Sequence, residues 1–168
     1  MENDNENAAE ETQSDVVDSS FATCQLHRDS VYCASFHPIN KNYIISGGGD
    51  DVSYLWTYDG TAMLQDPDRE TGPGKGISSY IALASHRDTV TSVGFSADGK
   101  LAFSAGYDGM LKIFDAYTGQ LLAEFDGPQD IEWAQWHTKG NAIIAGSNDG
   151  TIWMWVVMDG SWRCAQVR

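Results

Sequence analysis

Two sets of residues have the types that a Ser-His-Asp nucleophile system uses: His27, Ser46 and Asp50, and again His86, Ser104 and Asp108. In such a system the serine must stand exposed beside substrate, with the imidazole as its base. Cys24-x-x-His27 and Cys33-x-x-x-His37 carry the donor types of a zinc site. Cys33 and His37, however, lie along one extended stretch that cannot close a tetrahedron locally, and His27 belongs to the first set. A Cys33 nucleophile with His37 as base lacks a third group to orient it. Ser46-Gly-Gly-Gly-Asp50 and Thr71-Gly-Pro-Gly-Lys-Gly76 are glycine-rich, but neither has the spacing of a phosphate loop. No nucleophile, base and oxyanion donors converge, so no enzyme, metal or cofactor is expected.

A repeat positions these residues. His27-Arg-Asp-Ser-Val31, Phe36, Ser46-Gly-Gly-Gly-Asp50 and Trp56 make the first copy. The second is His86-Arg-Asp-Thr-Val90, Phe95, Ser104-Ala-Gly-Tyr-Asp108 and Phe114. The third is Gly127-Pro-Gln-Asp-Ile131, Trp136, Ala145-Gly-Ser-Asn-Asp149 and Trp155. Copies two and three align without a gap, and the first needs one extra residue between Pro38 and Tyr43. Each copy reads as strands separated by turns. In copy two the strands are expected over 91–96, 101–105, 110–115 and 120–125, and the Asp-Gly pairs are strong hairpin signals. Four strands in about 40 residues is the period of a propeller blade.

These repeats resemble the WD-repeat family of β-propellers over about residues 22–158. The resemblance implies an all-β fold of three four-stranded blades. It also implies a structural, non-catalytic role for the His-Ser-Asp-Trp set. That set is complete in copy one as His27, Ser46, Asp50 and Trp56. Copy two has His86, Ser104 and Asp108, with Phe114 in place of Trp. Copy three keeps only Asp149 and Trp155. Such a set holds each blade's turns, because a buried Asp needs donors and an imidazole between Ser and Asp serves both neighbours. Asp130-Ile-Glu-Trp-Ala-Gln-Trp136-His137 and the Trp153-x-Trp155 strand resemble one blade of a narrower group. That group contains the angio-associated migratory cell protein and its fungal counterpart, a chaperone for a newly made large-subunit ribosomal protein. Thr138 stands where that group commonly has Pro.

Charge points the same way. The chain carries a net charge of −14, which disfavours direct nucleic-acid binding and favours a basic partner. Half of that charge sits in residues 1–18, where Glu2, Asp4, Glu6, Glu10, Glu11, Asp15 and Asp18 stand without any Lys or Arg. This tail, taken as 1–20, reads as disordered. It has no apolar signal segment, and no apolar run is long enough to span a membrane, so a cytoplasmic or nuclear compartment with free Cys24, Cys33 and Cys164 is expected. Blades are expected over about 21–64, 80–120 and 121–158. A flexible Asp/Pro/Gly/Ser insertion fills 65–79, and 159–168 is a non-repeat segment.

Family ligands often meet the loops that enter the first strand and precede the repeat Asp. The resemblance therefore implies a rim of Ser30, Tyr32 and Gly49, of Thr89, Thr91 and Tyr107, and of Asp130, Glu132 and Asn148, with Asp51 beside them. Tyr32 and Tyr107 offer faces for a cation, and Asp51, Asp130 and Glu132 offer carboxylates. The expected partner is a basic ribosomal-protein segment, and the competing function is a signalling or cytoskeletal scaffold in cell migration. Three blades cannot close a ring, since propellers use four to eight. The chain is thus expected to be a fragment or short form of a longer propeller, with no independent function in the extreme case, or to assemble with other chains. Its open edges should self-associate.

Overall fold

A computed structural model describes residues 20–66, 73–158 and 161–167. Apart from Ser20, the expected acidic tail lies outside the described residues. The strands form three antiparallel four-stranded sheets. The first runs β1 (Val31–Phe36), β2 (Tyr43–Gly48), β3 (Ser53–Tyr58) and β4 (Ile77–Ala82) in that spatial order. The second runs β5 (Val90–Phe95), β6 (Leu101–Gly106), β7 (Met110–Asp115) and β8 (Leu121–Asp126). The third runs β9 (Ile131–Trp136), β10 (Ala142–Ser147), β11 (Ile152–Met158) and β12 (Ser161–Val167). A six-residue helix, α1 (Gly60–Gln65), leaves the end of β3.

Sheets and sequence copies are offset. A copy contains the first three strands of a sheet, and the outer strand follows after the next turn. So β8 stands beside β7 as the fourth strand expected over 120–125, and β4 stands beside β3 although residues 80–82 fall inside the second copy's expected boundary. The segment over 159–168 lacks the repeat pattern yet supplies β12, which pairs with β11 from Ile152↔Val167 to Met158↔Ser161. An outer strand needs only backbone pairing and a modest apolar face, so few of its side chains are dictated. The insertion is also shorter than its composition implies. β4 begins at Ile77, and residues 73–75 are tied to the entering chain by Thr23 N–H to the Lys75 carbonyl (3.1 Å) and Gln25 N–H to the Pro73 carbonyl (2.7 Å).

Two cores lie between the sheets. Tyr43, Ile45 and Leu55 of the first sheet meet Phe95, Ala102 and Phe114 of the second. Phe103, Leu111 and Ile113 of the second meet Trp136, Ile143 and Trp155 of the third. Cross-strand partners share a face. Ala102↔Phe114 therefore points one way and Phe103↔Ile113 the other, and one sheet serves both cores. Each fully buried Leu, Ile or Phe contributes about 1.5–3 kcal/mol. The innermost strands stack in sequence, β1 on β5 and β5 on β9. Among the described residues, no further sheet packs on the first sheet's face away from the second or on the third sheet's face away from the second. The three described sheets do not close a ring.

Candidate functional site

The repeat set assembles as a wired turn. In the first sheet His27 Nδ1 lies 2.9 Å from Asp50 Oδ1, and Nε2 lies 2.9 Å from Ser46 Oγ. Trp56 Nε1 donates to the same Oγ at 3.1 Å, and the Arg28 N–H donates to Asp50 Oδ2 at 3.0 Å. One proton order satisfies all of these groups: Nδ1–H to the carboxylate, Ser O–H to Nε2, indole N–H to Oγ. The second sheet repeats it, with His86 2.9 Å from Asp108 and 2.7 Å from Ser104 Oγ, and Arg87 N–H on Asp108 at 3.0 Å. Burial pushes the basicity of His86 down, only partly offset by Asp108. For Asp50 and Asp108 burial opposes ionisation, but the histidine and backbone donors outweigh it and hold both carboxyls below their usual range. Ser46 and Ser104 are buried beneath these rings, so neither can meet a substrate.

The third sheet is wired differently. Gly127 and Ala145 replace the His and Ser. Asp149 is exposed and caps its own turn, accepting from Thr151 N–H (2.9 Å) and Oγ1–H (2.6 Å). Trp155 is fully buried, and its indole N–H finds no acceptor among the described residues.

Above these turns, the inner strands share a device invisible in the composition. Register slips between Val31 and Cys33, between Val90 and Ser92, and between Ile131 and Trp133, so one residue bulges from each inner strand. The bulged residues are Tyr32, Thr91 and Glu132, the same position in all three copies. A bulge re-aims its side chain, and here it turns Tyr32 and Glu132 out to solvent. Thr91 Oγ1–H crosses to the Ile131 carbonyl at 2.6 Å, fixing the second bulge against the third sheet.

Tyr107 stands where these elements meet. Its hydroxyl donates to Glu132 Oε2 at 3.3 Å. Glu132 is the main reason its phenol is harder to ionise, with Tyr32 and Asp130 acting the same way. Asn148 Nδ2 reaches Asp130 Oδ2 at 3.5 Å, and Asp130 adopts a left-handed backbone (φ 52°) that lifts it at the strand entrance. The structure thus gathers Tyr32, Tyr107, Asp130, Glu132 and Asn148 along one edge. Asp51, also left-handed (φ 63°), is instead tied to the second blade's entrance, its carbonyl accepting from His86 N–H at 2.8 Å. Arg28 with Asp29 and Arg87 with Asp88 flank the first two strand entrances, whereas the third has Pro128 and Gln129 at those positions, followed by Asp130 and Glu132 with no adjacent cation. Negative charge is therefore least compensated around Asp130 and Glu132.

A protein-family model described as "WD domain, G-beta repeat" matches residues 19–57, 77–115 and 119–156, more than half of the chain. The chain belongs to the WD-repeat family. It is 31% identical over 149 residues to the human angio-associated migratory cell protein, covering 89% of this chain and 30% of that one. It is 26% identical to the ribosome assembly protein SQT1 of Saccharomyces cerevisiae, covering 96% of this chain and 35% of that one. The crystal structure of Saccharomyces cerevisiae Sqt1 shares the fold, with a TM-score of 0.66 at 23% identity over 85% of this chain and 36% of that one. This WD-repeat chain thus spans about a third of the length of the relatives it matches.

Residues first weighed as metal or nucleophile candidates turn out to hold the seams of this WD-repeat chain. His37 is buried between the first two sheets. Its Nε2 donates to the Gly99 carbonyl at 2.8 Å, and Nδ1 accepts from Asn40 N–H at 2.9 Å. Gly99 has a left-handed backbone (φ 71°), and a Cβ there would overlap the His37 ring, so only glycine fits. Burial pushes the Cys33 thiol up to about 12, and its S–H lies 3.7 Å from the Val90 carbonyl across the same seam. Ser92 Oγ accepts from Ala134 N–H at 2.8 Å across the other seam. Sequence reasoning gave none of these a seam role. The one signal available was that Cys33 and Ser92 are equivalent positions of small polar type.

Proposed function

We propose that the chain holds a basic, Arg/Lys-rich segment of a ribosomal protein on the rim formed by Tyr32, Tyr107, Asp130 and Glu132. The observation that carries this reading is the convergence of two tyrosines and two carboxylates from three blades on one solvent-facing edge. A guanidinium can stack on an exposed phenol ring while a carboxylate takes its N–H groups, which suits arginine better than any neutral side chain. Bulges and cross-blade hydrogen bonds hold these groups in place, so little ordering entropy remains to be lost on binding. The net charge of −14 supports long-range attraction of a cationic partner. A relative named as a ribosome assembly protein supports the partner class.

The test is titration of a basic ribosomal-protein N-terminal peptide at low and moderate salt. The double substitution Asp130→Lys with Glu132→Lys should weaken binding, chiefly by slowing association, and flatten its salt dependence. Unchanged affinity with an intact circular-dichroism spectrum places the site elsewhere. Recovery of signalling or cytoskeletal proteins, and no ribosomal protein, in a pull-down from cell extract favours the migration-scaffold reading.

A further inference from the structure

Each blade closes its inner hairpin with a turn that carries a lysine. The turns between β1 and β2, β5 and β6, and β9 and β10 hold Lys41, Lys100 and Lys139, all exposed. They are three of the chain's five lysines. Of the other two, Lys112 is already engaged, with Nζ donating to the Ser85 carbonyl at 2.7 Å and 3.5 Å from Glu124. Asp98 is the one acid in the sequence of these turns. It lies 3.7 Å from Lys100 and accepts from Ser96 Oγ–H and Lys100 N–H. Asp115, in the turn that follows β7, is taken up by Thr118 and the Tyr117 N–H. The lysine turns stand together. His37 joins the first to the second through the Gly99 carbonyl. Pro38, Ala97 and Thr138, one from each turn, line a single cleft with the buried Phe95 and Trp136. These turns belong to the end of the blades opposite the rim, not to a sheet face.

The acidic segment joins the described chain at this same end. The Ser20 carbonyl accepts from Lys75 Nζ at 2.9 Å. Phe21 stands edge-on to Tyr58, with ring centroids 6.2 Å apart, and the Tyr58 hydroxyl donates to the Lys41 carbonyl at 3.4 Å. Residues 1–18 hold seven acids and no Lys or Arg. Fully extended, 18 residues reach at most about 60 Å. The tether presents them to nearby groups at an effective concentration on the order of millimolar, so weak contacts suffice. At the opposite end, Asp29, Asp51, Asp88, Asp130 and Glu132 outnumber Arg28 and Arg87, and like charge repels the segment from the rim.

We infer that the acidic segment 1–18 docks on the lysine-bearing turns of its own chain, its carboxylates meeting Lys41, Lys100 and Lys139. Charge complementarity and the position of Ser20 beside the Lys41 turn select this occupant. A separate acidic protein would approach a net charge of −14 without the tether. The docked segment leaves the opposite rim open, so the seven acids and the rim carboxylates do not share one site.

The experiment is carbodiimide cross-linking of carboxylates to amines in the dilute full chain, with the linked peptides identified by mass spectrometry. Links from the acids of residues 1–18 to Lys41, Lys100 and Lys139 within one chain are the expected result. Their yield should fall about tenfold when salt rises from about 0.01 M to about 1 M, which shortens the screening length from about 30 Å to about 3 Å. Amide NMR on the full chain gives a second reading. Replacing the seven acids by their amides should shift the resonances of the three lysine turns. Lys41→Gln with Lys139→Gln, both on exposed side chains, should shift those of residues 1–18. Four results overturn the proposal. Links confined to Lys75 would mean that the segment is near only its own anchor. Links between copies would make the occupant the segment of a second chain. A yield indifferent to salt would remove charge as the cause. An amide-substituted segment that moves resonances of Tyr107 and Glu132, and none in the lysine turns, would place it at the rim.

Discussion

The first and third blades have the same four strands and the same turn, but they stabilise that turn by different means. In the first, His27 links Asp50 to Ser46, and Trp56 closes the chain of bonds, so every side chain of this set has a partner. In the third, the histidine and serine are gone, Asp149 retreats to the surface, and Trp155 keeps its packing but loses its acceptor. Trp155 shows that the aromatic at this position is held first by burial, since it stays at 0% exposure with its indole N–H unpaired. Phe114 in the second blade makes the same point with no N–H at all. Packing sets the strand, and the polar chain fixes the turn above it.

The strongest way to break the comparison is to remove the aspartates. Asp50→Ala should cost about 1–3 kcal/mol, because it strands the His27 Nδ1–H in a buried site and releases the Arg28 N–H from the turn. Asp149→Ala should cost less, about 0.5–1 kcal/mol, since this carboxylate is exposed and water can replace it on the turn donors of Thr151. Urea midpoints of the two variants decide the matter, and equal or reversed shifts would refute the account.

Acid separates the blades next. Asp50 and Asp108 ionise more readily folded than unfolded. Their stabilisation is therefore complete above the usual aspartate range and is lost as pH falls through it towards their lowered folded values. Stability of the natural chain should drop across that interval. Asp50→Ala should shed part of the drop, so the two curves converge at low pH. Thermal melts at a series of acid pH values read this directly, and parallel curves would argue against it.

The smallest effect sharpens the comparison by repair. Ala145→Ser restores the hydroxyl that Ser46 and Ser104 supply, within reach of the Trp155 indole. A gain of about 0.5–1.5 kcal/mol is expected, the net value of one buried hydrogen bond, and it should vanish in a Trp155→Phe background. Equal gains in both backgrounds would mean that the new hydroxyl bonds elsewhere.

Much of this was legible beforehand for a local reason. Strand period and Asp-Gly turns are short-range properties, and β5 to β8 fall within one residue of the expected 91–96, 101–105, 110–115 and 120–125. The His27 and His86 sets were legible because three copies placed them in register. The rim residues were named through the family resemblance, but not the reason they project, which is a bulge set by how β1, β5 and β9 pair with their neighbours.

The sequence by itself thus determined the repeat, the turns, the polar sets and the surplus of negative charge, because each is written in spacing or composition. Only the tertiary structure decided that β4 and β12 complete the first and third sheets, where Tyr107 meets Glu132, and that His37 locks onto the Gly99 carbonyl. Those depend on distances between residues far apart in the chain, 62 positions in the last case. Backbone carbonyls, bulges and seams leave little mark on residue type, so burial and hydrogen-bond geometry must specify them.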